Sequence, residues 1–363
     1  MDLLTLLTAL SERLGDLTTA LMIGILTGAL FGFAAQRSAF CLRSAAVELA
    51  RGRPGPRMAI WLMAVGAAVL SAQAARMAGL LDTDTAQLMN FAGSWSGAVI
   101  GGLIFGVGMV LARGCSGRLL VLAGSGNLRC VMAGLVFAIV AQFTIGGFLA
   151  PVRQSVTGLA MTEGGRNMDL LAHFGGGPVP GVMIGTVILL AALGLAVRAG
   201  TGWKTGIFAL IAGIAVSVGW VLTYAQSQVS FEPLGVVSAT FASPSATVVM
   251  SLMTAQFALD FSLGLIPGVF LGAFLGALVG GELRLEGYHS VPQMLRSLSG
   301  GALMGFGGVL AGGCAIGAGV TGVSIFVGPL MLATLCFFIG AWIADRLVDH
   351  KAAAAHDPVQ VQR

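Results

Sequence analysis

Two stretches decide how this chain is read: "GGLIFGVGMVLARGC", Gly101 to Cys115, and "GGALMGFGGVLAGGC", Gly300 to Cys314. Aligned without gaps they share nine of fifteen residues, among them Gly101/Gly300, Gly102/Gly301, Gly106/Gly305, Gly108/Gly307, Gly114/Gly313 and Cys115/Cys314. A glycine-rich segment that closes on Gly-Cys therefore occurs twice, and its surroundings name the solvent. Of the 363 residues, 56% are hydrophobic and 9% charged, where a soluble domain carries about a quarter charged, and mean hydropathy is +0.93. Such a chain belongs in lipid.

Apolar runs begin near residues 17, 57, 96, 130, 178, 204, 260, 297 and 329, each matching the roughly 17–25 residues that cross the hydrocarbon layer as a helix. Barrel strands would be about half as long and would alternate in polarity. Backbone hydrogen bonds in lipid must then close within helices, so the expected fold is an all-α integral membrane protein of about nine spans. It is read as a single polytopic membrane domain, 1–363, with an N-terminal half 17–150, a C-terminal half 178–348 and a polar tail 349–363.

Lys and Arg set the orientation. With the N-terminus outside, fifteen of the nineteen fall on the inner side, leaving Arg13, Arg76, Arg153 and Arg166 outside. The expectation is a multi-pass protein of the cell inner membrane, N-terminus periplasmic and C-terminus cytoplasmic, with Asp82, Asp84, Glu163, Asp169 and Glu232 mostly in outer loops. Insertion explains the net charge of +4, and nucleic acid is not needed. The start, "MDLLTLLTALSERLGDL", has Asp2 at its front and no basic region, and reads as a surface amphipathic helix instead of a signal peptide.

In this topology Gly101–Cys115 runs outside to inside on the third span and Gly300–Cys314 runs inside to outside on the eighth. An inverted pair in one chain points to a transporter whose site lies near the midplane where two related halves meet. Fourteen helical steps from Gly101 to Cys115 rise about 21 Å, short of the roughly 30 Å hydrocarbon layer, so each cysteine stops inside the membrane. The stretches that follow, "SGRLLVLAGSG" and "AIGAGVTGVS", are too short to span and are read as half-helices or re-entrant loops lining a cavity. Span one shares a GxxxGAxxG pattern with span seven, Gly24 to Gly32 against Gly268 to Gly276, but the two run the same way. That match reads as packing, and the inverted partner of span one stays unassigned.

A helix broken at Gly-Cys leaves backbone N–H groups at the start of the next half-helix, which favours an anion. A thiol in apolar surroundings stays protonated, so Cys115 and Cys314 can donate weak S–H hydrogen bonds. A soft sulfur anion fits that pair, helped by N–H groups near Gly114, Ser116, Gly313 and Ala315. "FGFAAQRSAFCLRSAA" adds Cys41, just past Gln36, where a way into the cytoplasm begins. Cys130 and Cys336 lack the Gly-Cys context and read as small apolar residues.

These residues are similar to those of the YeeE/YedE family of sulfur-transport membrane proteins. The matching stretches are "QRSAFC" (Gln36 to Cys41), "GVGMVLARGCSGRL" (Gly106 to Leu119) and "LMGFGGVLAGGCAIGAGVTGVS" (Leu303 to Ser324), with a looser match in "SATFASP" (Ser238 to Pro244). The resemblance implies an hourglass-shaped helical protein with loops dipping to a waist. There Cys41, Cys115 and Cys314 would be successive contacts for thiosulfate, passed by S–H···S hydrogen bonds without covalent reaction. It also implies a cytoplasmic sulfurtransferase-like partner, besides the membrane lipid itself. Arg113 stands where the second copy has Gly312; it either adds positive charge for an anion, signals a different substrate, or anchors the inner face.

Other chemistry finds less support. His173, His289, His350 and His356 lie apart, which disfavours a metal site. "GSGNLR" (Gly124 to Arg129) lacks the Lys-Ser/Thr of a phosphate loop, and no paired carboxylates or Ser-His-Asp set stands within the spans. No cofactor is expected, and the chain reads as a permease and not an enzyme. The alternatives are transport of another sulfur or selenium species, or a membrane thiol oxidoreductase, which would want the C-x-x-C pair that this sequence does not contain.

Overall fold

Long runs without charge leave the backbone little choice but the helix, and in the computed structural model the described residues are mostly helical. It describes residues 3–255, 257, 259–288 and 290–349; Asp2, His289 and, from residue 350 on, the expected tail with His350 and His356 lie outside that set. In chain order the helices are α1 (Leu3–Leu14), α2 (Asp16–Ser38), α3 (Leu42–Ala50), α4 (Pro56–Met77), α5 (Gln87–Asn90), α6 (Trp95–Leu111), α7 (Ser116–Gly124) and α8 (Leu128–Gly146). Then follow α9 (Ala150–Thr157), α10 (Leu170–His173), α11 (Pro178–Arg198), α12 (Trp203–Val229), α13 (Ala242–Thr254), α14 (Phe261–Gly280), α15 (Val291–Leu310) and α16 (Gly328–Ala344). Among the described residues, pairing of extended backbone is limited to isolated bridges.

Among the described residues eight segments are long and apolar enough to cross a membrane, against the nine expected. The difference is α15, a 20-residue helix that starts near the expected eighth run but carries Gln293, Arg296, Ser297 and Ser299 in its first half. These polar residues lower its mean hydropathy, while its second half packs its glycines between α6 and α8. Two of the eight apolar runs, Asp16–Ala50 and Trp95–Gly124, contain a break, at Cys41 between α2 and α3 and at Cys115 between α6 and α7.

The glycines explain how these helices meet. A methyl group at Gly24, Gly28 or Gly32 would collide with the carbonyl oxygens of Phe261, Leu265 and Val269, and one at Gly264, Gly268 or Gly272 with those of Leu21, Ile25 and Ala29. The numbers rise together, so α2 and α14 are parallel, and the GxxxGAxxG pattern they share is the seam between them. Lipid provides no hydrophobic drive between helices, so this close approach holds them by dispersion contacts.

The same bookkeeping reveals an inverted repeat. Gly101 abuts the Gly307 carbonyl and Gly300 the Gly108 carbonyl, so α6 and α15 cross antiparallel with reciprocal contacts. Gly102 and Gly106 of α6 rest on Ala333 and Phe337 of α16, while Gly301 and Gly305 of α15 rest on Ala133 and Phe137 of α8. Exchanging α6 with α15 and α8 with α16 maps one set of contacts onto the other. Likewise the α2–α14 seam is matched by a parallel α12–α4 contact, in which Gly213 meets the Ala64 carbonyl and Ser217 bonds Ser71 at 2.7 Å. The inverted partner of span one is therefore α12, which packs antiparallel on α2, with Thr27 beside Gly219 and Phe33 beside Phe208. Helix α11 is the unmatched element that joins the halves.

Loop polarity follows the helix ends. At one end Arg76 pairs with Asp169 at 3.6 Å and Arg166 donates to the Asp84 carbonyl. At the other, Arg51 holds the buried Asp345 through two hydrogen bonds of 3.0 and 2.8 Å, and Arg37 lies 3.8 Å from Glu282.

Candidate functional site

Three helices stop in the interior, and each stop is built the same way. Helix α6 ends at Leu111, Arg113 takes a left-handed conformation (φ 56°), Gly114 N–H returns to the Met109 carbonyl at 3.1 Å, and Cys115 is extended ahead of α7. In the second copy α15 ends at Leu310, Gly312 is left-handed (φ 79°), Gly313 N–H returns to the Gly308 carbonyl at 2.9 Å, and Cys314 follows. Helix α2 closes similarly through left-handed Ala39, with Phe40 N–H bonded to the Ala35 carbonyl at 3.1 Å, before extended Cys41 opens α3. Each left-handed residue ends its helix by satisfying carbonyls that have lost their intrahelical partners.

This construction corrects one expectation. The N–H groups of Gly114 and Gly313 close the preceding helix and are not available to a ligand. What the break does offer is the cysteine itself, set at the start of the next segment. The sulfur of Cys314 accepts from the Gly317 N–H at 3.4 Å and from the Phe241 N–H at 3.3 Å. By the same three-residue offset, the sulfurs of Cys41 and Cys115 face the backbone N–H groups of Ser44 and Arg118. Each of these two also faces its partner's chain, Cys41 toward the N–H of Cys115 and Cys115 toward that of Leu42.

Cys41 and Cys115 come together, sulfur to sulfur 4.0 Å apart and both buried. Cys314 is wholly buried in the opposing half. The two breaks meet at Gly117, the second residue of α7, which lies against Ile316 and the ring of Phe241. A line of buried rings, Phe40 to Phe31 at 6.2 Å and Phe31 to Phe241 at 5.5 Å, runs from the Cys41 side to the Cys314 side. Ser116 and Ala315 directly follow the cysteines and are buried, and the Ser116 hydroxyl has no hydrogen-bond partner among the described residues. An unpaired hydroxyl in an apolar interior is costly unless something else visits it.

Gln36 sits in the last turn of α2, ahead of the Cys41 break. Its amide donates to Glu282 at 2.7 Å and its carbonyl accepts from Arg118 at 3.4 Å. It borders a recess of about 280 Å³ that is also lined by Ser125, Asn127, Glu282, Arg284 and Glu286. Arg113 does not join the thiols: its side chain is exposed and lines a separate recess with Arg129 and Arg296. Cys130 and Cys336 sit in α8 and α16 as packed residues, Cys336 beneath Gly102.

Other contributors came from outside the cysteine pattern. The 238–244 loop matched as "SATFASP" brings Phe241 N–H to Cys314, and lays Thr240 against Gly317. Behind the second break, Gln73 donates to the Ser324 carbonyl at 2.9 Å and Trp220 to the Ser324 hydroxyl at 3.2 Å. Gln73 and Trp220 stand mid-span in unremarkable runs, so only a polar residue within an apolar stretch hinted at them. Among the described residues no group of three His, Cys, Asp or Glu gathers as a metal site.

Helices broken at buried thiols and repeated in inverted order define a multi-pass membrane protein of the transporter class. Residues 37–343 match the family model described as sulphur transport, and the chain belongs to that family. Among its relatives, it is 27% identical over 352 residues to the thiosulfate transporter TsuA of Spirochaeta thermophila, covering 88% of this chain and 96% of that protein. It is 28% identical over 349 residues to the thiosulfate transporter TsuA of Escherichia coli K12, covering 90% and 94%.

Proposed function

We propose that this protein is an inner-membrane permease that brings a sulfur oxyanion, thiosulfate first among candidates, into the cytoplasm along a path lined by Cys314, Cys115 and Cys41. The observation that carries the reading is the seating of the three buried thiols at helix breaks, two of them in sulfur contact across 4.0 Å. Backbone N–H groups aimed at each sulfur leave its S–H proton to donate onward. A terminal sulfur that carries diffuse charge accepts such weak bonds readily, and none holds it long. The ion then passes by exchange of S–H···S contacts without forming a covalent bond. Ser116, through its unpartnered hydroxyl, is a further contact for an oxyanion oxygen. Gln36 and Arg118 mark the exit toward the side that the arginine distribution places in the cytoplasm, where a sulfurtransferase-like protein would take the sulfur onward.

The test is uptake of radiolabelled thiosulfate by cells that lack their own sulfur importers, expressing the intact protein or its Cys115→Ser or Cys314→Ser form at matched membrane levels. Uptake by the intact protein and loss in both variants is the expected result. Undiminished uptake in both variants would remove the thiols from the path, and no uptake by the inserted intact protein would point to another sulfur or selenium species.

A further inference from the structure

The recess that contains Arg113 is not explained by the thiol path. It measures about 230 Å³ and is formed where α6 ends and α8 and α15 begin, with Arg113, Arg129, Arg296, Gln293 and Ser297 on its wall. No carboxylate lines it among the described residues; the nearby Glu286 side chain is held by Asn127 at 2.8 Å and borders the other recess. Ser297 is 3% exposed and its hydroxyl has no partner among the described residues. Three guanidinium groups around a buried, unsatisfied hydroxyl form a cradle for a tetrahedral oxyanion.

Two features favour one source for that anion. The recess opens where α8 and α15 begin, on the arginine-rich side of the helices, where basic pockets between helices recognise anionic lipids. The helix starts that carry Arg129 and Arg296 also carry an apolar border, Leu128, Met132, Val291 and Leu295, each about half exposed. A free ion has no use for such a rim, whereas acyl chains attached to a phosphate would lie along it.

We propose that this recess is a binding site for the phosphate of an anionic phospholipid, with Arg113, Arg129 and Arg296 as its charge partners and Ser297 as an added donor. The site stands apart from the thiol path, and its lipid assignment is the same whichever ion that path carries. The experiment is native mass spectrometry of the full-length protein released from detergent with phosphatidylglycerol, cardiolipin or phosphatidylcholine, and in a separate arm with inorganic phosphate. Expected are preferential retention of the anionic lipids and about fivefold weaker retention for each arginine removed, read with Arg129→Gln and Arg113→Gly. The second variant restores the residue type found at Gly312, so its backbone is relieved and folding is preserved. Equal retention of phosphatidylcholine, or undiminished retention of anionic lipid in both variants, would overturn the proposal. Displacement of the lipids by millimolar inorganic phosphate, with the ion itself retained, would make this a free-anion site and overturn the lipid assignment.

Discussion

The two broken-helix units share a backbone and differ in what they hang on it. In the first, Cys115 meets a second thiol, Cys41, from the α2–α3 break. In the second, Cys314 meets the backbone N–H of Phe241, as Cys115 meets that of Leu42, and Thr240 stands in the place of Cys41. The first break continues as α7, whose Arg118 reaches Gln36. The second continues as a π-helical segment, Gly317–Gly322, buried throughout and without charge. The left-handed positions are also exchanged: Arg113 and Gly126 in one unit answer Gly312 and Phe326 in the other. A repeat can thus fix where helices stop while leaving each half free to specialise, one toward charge and solvent, the other toward a sealed interior.

The severest way to break the comparison is to remove the scaffold that both halves use. Gly272→Val pushes a branched side chain into the Ala29 carbonyl at the α2–α14 seam, where overpacking costs about 3 kcal/mol or more. The expected outcome is failure to accumulate as a folded protein, read by size-exclusion profile in detergent; normal accumulation would mean that the seam is looser than described.

A sharper probe concerns the thiol that only one half has. Cys41→Ser is expected to cut uptake at least tenfold while insertion is unaffected. Thr240→Cys places a thiol beside Cys314, because both side chains border Gly317, and is expected to form a disulfide with it under mild oxidation, counted as two alkylatable thiols lost from the variant. Absence of that crosslink would show that the two breaks are not equivalent at this position.

The smallest effects come from the exchanged left-handed residues. Phe326→Gly relieves backbone strain but deletes a buried ring, 5% exposed, for which full truncation costs about 3–5 kcal/mol; its net effect is a loss of about 2 kcal/mol after about 1–2 kcal/mol of relief. Arg113→Gly relieves the same strain with no core lost. Set against about 0.5–1 kcal/mol of added freedom in the unfolded chain, its net change is a gain of under about 1 kcal/mol. Thermal unfolding in detergent should shift the two variants in opposite directions, and a shared sign would deny the equivalence of positions 126/326 and 113/312.

Much of this could be read before any coordinates. The long uncharged runs demanded helices, because lipid offers backbone groups no other partner, and the duplicated Gly-Cys segments marked both the breaks and two of the three thiols. Their spacing from the start of each run placed the stops inside the membrane. The GxxxGAxxG pair was legible as packing, since small residues in register admit close backbone approach.

Tertiary structure decided the rest, because it depends on which surfaces meet. The α2–α12 equivalence has no shared motif, only mirrored contacts, and α15 disguised itself with polar residues that the fold puts at its start. Gly114 and Gly313 looked like donors to a ligand, but left-handed turns direct their N–H groups back to their own helices. The partners of Gln36, Arg118 and Glu282, are brought to it only by the fold, across the chain. Local sequence determines where a helix must stop, since that is a matter of backbone conformation and neighbouring residues. Whether a stopped helix presents its thiol to another thiol or to a distant peptide N–H is settled by long-range packing, which the identity of the residue alone does not encode.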